Sequence, residues 1–554
     1  MEFGCLRGFA YLCMVLERFV SMRKFVAFLM FATGLCGMAQ LSTEVVVDRN
    51  IAPEERTAER PNWLTPVIVL DESTPEPLET SVYTALSPLT RGYSVLPAAS
   101  GLFAAEKTPY RGYVAGGYFP TLDFGVSAGY RVIDKKKMVL GARLHFDSER
   151  YRPYGEEGSM GAQYFATVTA GVDFSWKPLE KSVLTAFGDY TYLRDKTTYW
   201  YPQNVNSGRL GAGWKSTAGI VGYSAKINVG FEKASDTYKY LVGLDESPLL
   251  PGLSQQQVEF NAKASVPVGQ TTVGLDVTGD YVMTSGEFNR TEGFTDITPY
   301  FTYSTKKFGL KIGVKFDFAR SKFSVMPDVR LNVTPVKGLG VWVTAGGGSE
   351  TNSFARMRRE CVYQIFDYGF GASRVPIVID GGVNFGPFKG LYFGVFGGYA
   401  VADGWLMTTG SVYQPFVPLD VKGWHAGAKA GIKWKFVKAE LKADFAPSGH
   451  DKAWWTRRDR SGTVIDFSVE ARPLQPLTVG VDYEFRNRRK AFYTPEKYLD
   501  MGCVSNLSIG AEWRFTEAFS VFGRVENVLG RRFMLIAWEP SRKVSGLFGA
   551  TYKF

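Results

Sequence analysis

The feature that most constrains the fold is an alternation of side chains that recurs from about residue 110 to the last residue. In MVLGARLHFDS (138–148), every second residue from Met138 to Phe146 is apolar, and the residues between include Arg143 and His145. LKIGVKFDFAR (310–320), LTVGVDYEFRN (477–487) and NLSIGAEWRF (506–515) repeat the pattern. Successive side chains of a strand point to opposite faces. These stretches are therefore predicted to be strands with one apolar and one charged face.

The charged faces distinguish between the all-β architectures. A β-sandwich or a propeller also has many short strands, but it would bury the Arg, Lys, Asp and Glu side chains of one face. A transmembrane barrel has lipid outside and a polar interior, which suits both faces. Aromatic residues make up 15% of the chain and glycines number 60, which suits an apolar coat around closely packed strands. We predict an all-β, transmembrane antiparallel β-barrel at residues 110–554.

The links between the predicted strands alternate in length. Short links are predicted at 134–137, 177–181, 267–270, 386–390 and 472–476, and longer ones at 151–160, 197–206, 235–253, 351–374, 447–461 and 490–503. Short turns at one end and long loops at the other are typical of outer-membrane barrels. The segments number about 22. The last one, SGLFGATYKF (545–554), alternates up to Phe554 and is predicted to close the barrel by pairing with the first strand, which leaves no open edge.

The N-terminal region has the pattern of a secretory signal. Met22 is followed by Arg23 and Lys24, then by an apolar run and small residues that end at Ala39. We expect translation to begin at Met22 and residues 1–39 to be removed; a lipoprotein site at Cys36 is the alternative. The net charge of +10 would then fall to +8, and two of the five cysteines, Cys361 and Cys503, would remain.

Residues 40–109 differ from the rest of the chain. Eight of the 27 prolines lie in this segment, and each proline removes a donor from a strand ladder. A 22-strand lumen is wide enough to need a plug, and this is the only segment available to occupy it. We predict an extended arm, a short plug-like remnant, that lies inside the lumen.

Several stretches resemble TonB-dependent receptors, and the chain resembles the short members of that group that lack a full plug domain. The stretches that carry the resemblance are VFGRVENVLGRRFMLIAWEPSRKVSGLFGATYKF (521–554), KFSVMPDVRLNVTPVKGLGVWVTAGGGSETNSF (322–354) and TEVVVDRNIAPEERTAERP (43–61). The resemblance implies a 22-strand barrel in the outer membrane of a Gram-negative bacterium, with uptake that could be coupled to energy. A complete plug is longer than residues 40–109, so gating by a plug of the usual kind is not implied.

The resemblance also implies partners. Residues Thr43, Glu44, Val45, Val46 and Val47 resemble a TonB box, through which a periplasmic energy-coupling protein would pair by strand addition. The alternative is that Glu44–Val47 pairs within the arm or the pore. A terminal strand ending in Tyr552 and Phe554 resembles the signal read by the barrel-assembly machinery. We expect contacts with outer-membrane lipid and lipopolysaccharide, and no nucleic-acid partner.

Two predicted external loops could bind a ligand through aromatic and arginine side chains. One contains Trp454, Trp455, Arg457, Arg458 and Arg460, and the other contains Tyr199, Trp200 and Tyr201. Such side chains could stack on sugars or bind phosphate and carboxylate, or they could lie at the lipid interface. Cys361 and Cys503 both fall in external loops and could form a disulfide, which requires their Cα atoms to lie within about 7 Å of each other.

Signatures of an enzyme are missing from the sequence. The three histidines, His145, His425 and His450, have no metal-ligand spacing, and no Gly-x-Ser-x-Gly motif occurs. We expect neither enzymatic activity nor a cofactor. The leading hypothesis is a receptor-like barrel that binds or transports a solute across the outer membrane. The alternative is a non-transporting, surface-exposed barrel that serves as a scaffold or partner in an envelope complex.

Overall fold

The structure is a computed structural model. It describes residues 110–119, 123–151, 154–155, 158–159, 163–196, 203–234, 254–285, 289–319, 322–360, 371–408, 416–446, 462–494, 497–536, 539–541 and 544–554.

Twenty-two strands form a single sheet. The first half of the sheet contains β1 (Gly112–Phe119), β2 (Asp123–Lys135), β3 (Met138–Tyr151), β6 (Gln163–Trp176), β7 (Ser182–Lys196), β8 (Gln203–Ala218), β9 (Val221–Ala234), β10 (Ser254–Val268), β11 (Thr271–Ser285), β12 (Arg290–Ser304) and β13 (Phe308–Ala319). The second half contains β14 (Lys322–Val336), β15 (Leu339–Glu350), β16 (Ser373–Phe388), β17 (Leu391–Thr408), β18 (Phe416–Lys433), β19 (Val437–Phe445), β20 (Thr463–Leu474), β21 (Leu477–Asn487), β24 (Val504–Arg514), β25 (Phe519–Glu526) and β28 (Ser545–Lys553).

Short elements lie in the links at one end of the sheet. They are the hairpins β4 (Tyr154–Gly155) with β5 (Gly158–Ser159), β22 (Lys490–Thr494) with β23 (Lys497–Asp500) and β26 (Met534–Ile536) with β27 (Glu539–Pro540), and the helix α1 (Phe354–Glu360). In the described part of the chain, no helix is both long and apolar enough to cross a membrane.

The sheet closes on itself, as the sequence predicts. Strand β1 pairs antiparallel with β2 on one side and with β28 on the other, and Val114 opposes Tyr552 in the closing register. All other neighbours are also antiparallel and follow chain order. The prediction of a closed antiparallel barrel of about 22 strands is confirmed.

The two faces of the barrel differ as the alternation predicts. Leu144, Val172 and Leu210 point outward and are 49%, 51% and 68% exposed. The inner face carries ion pairs: one of the Arg143 guanidinium nitrogens lies 3.1 Å from Asp173 on the neighbouring strand. An apolar outer surface of this extent matches a lipid-facing belt, because soluble proteins rarely expose a continuous apolar surface.

Link lengths differ between the two ends of the barrel. The ten turns at the end that holds both Arg111 and Phe554 contain two to five residues, such as 136–137 and 177–181. The links at the other end extend to 235–253 and 351–372. Several predicted links are too long. The predicted links 134–137, 267–270, 351–374, 386–390 and 472–476 each include two or three residues of a strand, and residues 203–206 of the predicted link 197–206 belong to β8. There Asn204 and Asn206 accept hydrogen bonds from the hydroxyls of Tyr192 and Tyr190 on β7.

The C-terminal residue is fixed at the closing seam. The carbonyl oxygen of Phe554 accepts bonds of 2.8 Å from the amides of Arg111 and Gly112, and its ring stacks on Tyr130 at 6.1 Å. Gly112 makes this close approach possible, since a Cβ at that position would lie 2.7 Å from the Phe554 ring.

Candidate functional site at the mouth of the barrel

Strand β15 ends in a segment that leaves the barrel wall and enters the lumen. The register between β15 and β16 shifts between Gly346 and Gly348. A Cβ on Gly347 would lie 2.6 Å from the carbonyl oxygen of Pro376 and 2.8 Å from the sulfur of Met326. Only glycine fits such a close passage. We call residues 346–360, which continue through α1, the mouth segment.

Charged side chains of the inner wall surround the point where the mouth segment begins. Asp296 on β12 and Asp317 on β13 oppose each other in register. The Lys315 ammonium lies 3.1 Å from Asp296, and Ser324 donates a 3.3 Å hydrogen bond to Asp317, which is fully buried. Burying two facing carboxylates requires compensating charge, and Lys315 supplies it to Asp296 here.

Hydrogen bonds attach the mouth segment to the inner face of β10 and β11. The amide of Phe354 donates to Oε1 of Gln255 over 2.7 Å, and Nε2 of Gln255 donates to Thr284 over 3.1 Å. The hydroxyl of Thr351 donates to Asp280. One bond uses a backbone amide of the segment and the other a side chain, so together they hold the segment against β10 and β11.

Arg356 organises the segment from within and connects it to β17, two strands along the wall from β15. One of its terminal nitrogens donates to Asn352 Oδ1 over 2.7 Å, and the other lies 3.1 Å from Glu350. Its guanidinium carbon lies 4.6 Å from the ring centre of Trp405 on β17. Cation–π contacts of this kind favour arginine, and they gain strength where water is excluded.

Apolar packing completes the bridge. Phe354 and Met357 are fully buried in a cluster with residues of β7, β8 and β9 on one side and of β17 and β18 on the other: Leu193, Val205, Ala234, Leu406 and Phe416. Seven barrel strands separate β9 from β17 in one direction, and ten separate β18 from β7 in the other. The helix therefore bridges nearly opposite walls at the end of the barrel with the longer links.

The start of α1 follows an ordinary capping pattern. The amide of Arg356 donates to the hydroxyl of Ser353 at 3.3 Å, and the amide of Met357 donates to the Ser353 carbonyl at 2.9 Å. Serine is a preferred residue at this position because it satisfies an otherwise free amide. The sequence signal for this site is the run of three glycines at 346–348 together with Ser353 further along the chain, and the alternation of side chains does not predict it.

The inner wall below the mouth holds a histidine between two carboxylates. Nε2 of His425 lies 2.9 Å from Asp380, and Nδ1 lies 3.1 Å from Asp444. Gly398 stands between Asp380 and His425 in register, and its missing side chain leaves room for the contact. Both ring nitrogens are engaged, and within the described residues no group of three or more His, Cys, Asp or Glu side chains could hold a metal ion.

Most of the site residues predicted from sequence lie outside the described residues. They are Thr43, Glu44, Val45, Val46, Val47, Tyr199, Trp200, Tyr201, Cys361, Trp454, Trp455, Arg457, Arg458 and Arg460. Cys503 is disulfide-bonded, but its partner lies outside the described residues too, so a bond to Cys361 stays a prediction. Tyr552 and Phe554 are described and lie at the closing seam, with ring centres 6.2 Å apart.

Comparison with known proteins relates the barrel to solved receptors. No family model matches the sequence, and no curated protein matches it significantly. A mutant of the ferric enterobactin receptor PfeA from Pseudomonas aeruginosa has a TM-score of 0.62 at 9% identity, over 80% of each chain.

Two further solved structures give the same picture. The FrpB iron transporter from Neisseria meningitidis has a TM-score of 0.62 at 12% identity, over 82% of this chain and 83% of its own. The siderophore receptor PirA from Acinetobacter baumannii has a TM-score of 0.60 at 8% identity, over 80% of each chain. The chain therefore shares the barrel fold of these solved proteins.

Proposed function

We propose that this protein is an outer-membrane barrel that takes up a solute, and that the mouth segment is the gate of its lumen. The observation that carries the proposal is the bridge made by Phe354 and Met357 across a closed, polar-walled barrel. An apolar outer face and a charged inner face suit a channel through lipid. A segment that must move before a solute can enter suits a regulated channel.

The position of the gate follows from its contacts. Only residues 346–350 of the segment pair with β16. From residue 351 onward, directional hydrogen bonds to Gln255 and Asp280 and a small apolar cluster hold the segment in place. Elements that move in a functional cycle have few such attachments compared with the core of a fold. A solute that competes for Asp280 or Arg356 would release the segment from one wall.

The names of the similar structures suggest the first solutes to test. They are named as a ferric enterobactin receptor, an iron transporter and a siderophore receptor. We therefore propose an iron chelate as the first class of solute, with Thr43–Val47 as the segment that would pair with a TonB-type protein. Residues 40–109 would lie inside the lumen as a short plug.

Two measurements test this proposal. Cells with and without the protein are compared for uptake of radioactive iron presented as a panel of chelates; uptake that requires both the protein and residues 43–47 supports coupled transport. Purified protein is then compared in planar bilayers with and without residues 48–108. A large rise in conductance on deletion supports an arm that seals the lumen. Equal conductance, with no chelate taken up, favours the non-transporting scaffold.

A further inference from the structure

The ten short turns form a strongly basic rim at one end of the barrel. They contain nine lysines and two glutamates, Glu180 and Glu517. We call these lysines the lysine rim: Lys136, Lys137, Lys177, Lys181, Lys306, Lys307, Lys337, Lys389 and Lys435. The eleven links at the other end contain 18 basic and 13 acidic residues, counted by sequence. The excess of positive charge is therefore much denser at the short-turn end.

The lysine rim is distributed around the barrel. Its members lie in six of the ten turns, those that join β2 to β3, β6 to β7, β12 to β13, β14 to β15, β16 to β17 and β18 to β19. The lysines form two arcs, one from β2 to β7 and one from β12 to β19, on nearly opposite sides of the barrel. A folded protein partner would need its contacts on one side, whereas charge on both sides suits a partner that surrounds the barrel. Lipid is the partner with that geometry.

Large apolar side chains lie next to the lysines and are exposed to the same surroundings. Leu179 is 66% exposed and Trp434 is 64% exposed, and each lies within two residues of a rim lysine. Val336, Phe388 and Phe436 are adjacent in sequence to Lys337, Lys389 and Lys435. This pairing suits a membrane interface. The apolar side chain lies at the edge of the hydrocarbon, and the long lysine side chain extends to the lipid headgroups.

We propose that the lysine rim binds the phosphate groups of anionic phospholipids in the leaflet around the short-turn end. This inference rests on the proposed outer-membrane location, although it does not require that a solute be transported. Each lysine near an anionic surface raises the association constant about fivefold. At 0.1 M salt, this attraction decays with distance over roughly 10 Å. The rim would hold a shell of such lipids around the barrel.

The experiment measures lipid selectivity of the full chain in phosphatidylcholine bilayers. Spin-labelled phosphatidylglycerol and phosphatidylcholine are compared for the motionally restricted fraction at low and high salt. The test variant carries Lys136→Gln, Lys137→Gln, Lys306→Gln, Lys307→Gln, Lys389→Gln and Lys435→Gln, and its matched control carries arginine at the same six positions. Heat-modifiable migration on gels is measured for each preparation, so that only inserted barrels are compared.

We expect wild type and the arginine control to prefer phosphatidylglycerol several-fold at low salt, and the glutamine variant to lose most of that preference. High salt should reduce the preference in wild type. An inserted glutamine variant that selects phosphatidylglycerol as strongly as wild type would overturn the proposal. Failure of wild type to insert would instead contradict the outer-membrane location. If the protein retains its lipid selectivity here but takes up no chelate in the uptake assay described above, only the proposed uptake function is contradicted.

Discussion

The amide nitrogen of Phe354 donates to Oε1 of Gln255 over 2.7 Å, joining residues that are 99 positions apart in the chain. Phe354 lies at the start of α1, and Gln255 lies on the inner face of β10 near its loop end. The bond is buried and directional, and it positions α1 against the wall. It also predicts how the mouth segment responds to substitution.

Replacing Gln255 with leucine should loosen the mouth segment. The Phe354 amide would lose its acceptor in a buried setting, which costs about 1–3 kcal/mol. We expect faster hydrogen exchange at that amide, by about tenfold or more. Gln256→Leu is the matched control, because Gln256 is exposed on the other face of β10. Equal exchange in wild type and Gln255→Leu would show that the bond does not hold the segment.

Truncating the apolar side chain of the bridge should have a larger effect. Phe354→Ala removes a fully buried ring between two walls, and such truncations cost about 3–5 kcal/mol. In the background lacking residues 48–108, we expect channel openings in planar bilayers to become more frequent than in the parent, while the barrel stays heat-modifiable. Ala355→Ser is the control, because Ala355 is exposed in the same helix. If the variant opens as often as its parent, the apolar cluster around Phe354 does not control opening of the channel.

Neighbouring glycines in the mouth segment should differ in their tolerance of alanine. A Cβ at Gly347 would lie 2.6 Å from the Pro376 carbonyl oxygen, whereas a Cβ at Gly346 meets nothing within 4 Å. Gly347→Ala should displace the segment and expose Arg356 to cleavage by trypsin. Gly346→Ala should be cleaved at the wild-type rate. If both variants are cleaved at equal rates, the segment does not depend on the close passage at Gly347.

Removing Phe554 should lower the yield of folded barrel. Its carbonyl accepts bonds from Arg111 and Gly112, and its ring stacks on Tyr130 at the seam between β28 and β1. Yield is measured as the heat-modifiable fraction of the protein synthesised. Phe554→Tyr keeps the ring and serves as the control. An unchanged heat-modifiable fraction in the deletion would mean that the terminal residue contributes only as a strand end.

The barrel wall could be predicted from sequence because its signal is local. Alternation in LKIGVKFDFAR places Ile312, Val314 and Phe318 outward and Lys315 and Asp317 inward, and the structure has them so. Neighbouring strands in chain order then need only short turns to pair. The closing pair of β1 and β28 followed from the requirement that no edge remain open to lipid.

The mouth segment could not be predicted in the same way. Phe354 is buried by Leu193 and Phe416, which are distant in sequence and come together only when the barrel has closed. A glycine run followed by a serine indicates a turn and a helix start, but it does not show that the helix bridges the lumen. The alternation of side chains was therefore enough to predict the barrel wall. The mouth segment depends on contacts across the lumen, which no local pattern in the sequence shows.

The central claim, that the mouth segment gates the lumen, is tested most directly by locking it. Thr351 and Asp280 are hydrogen-bonded, so a Thr351→Cys, Asp280→Cys double variant is built to join the segment to β11 by a disulfide. Single-channel conductance is recorded in the background lacking residues 48–108, before and after reduction, with the parent protein and each single variant as controls. We expect the oxidised double variant to stay closed and to recover parent-like openings when reduced, while the controls do not respond to reduction. A double variant with a confirmed disulfide that conducts like its parent would contradict the account.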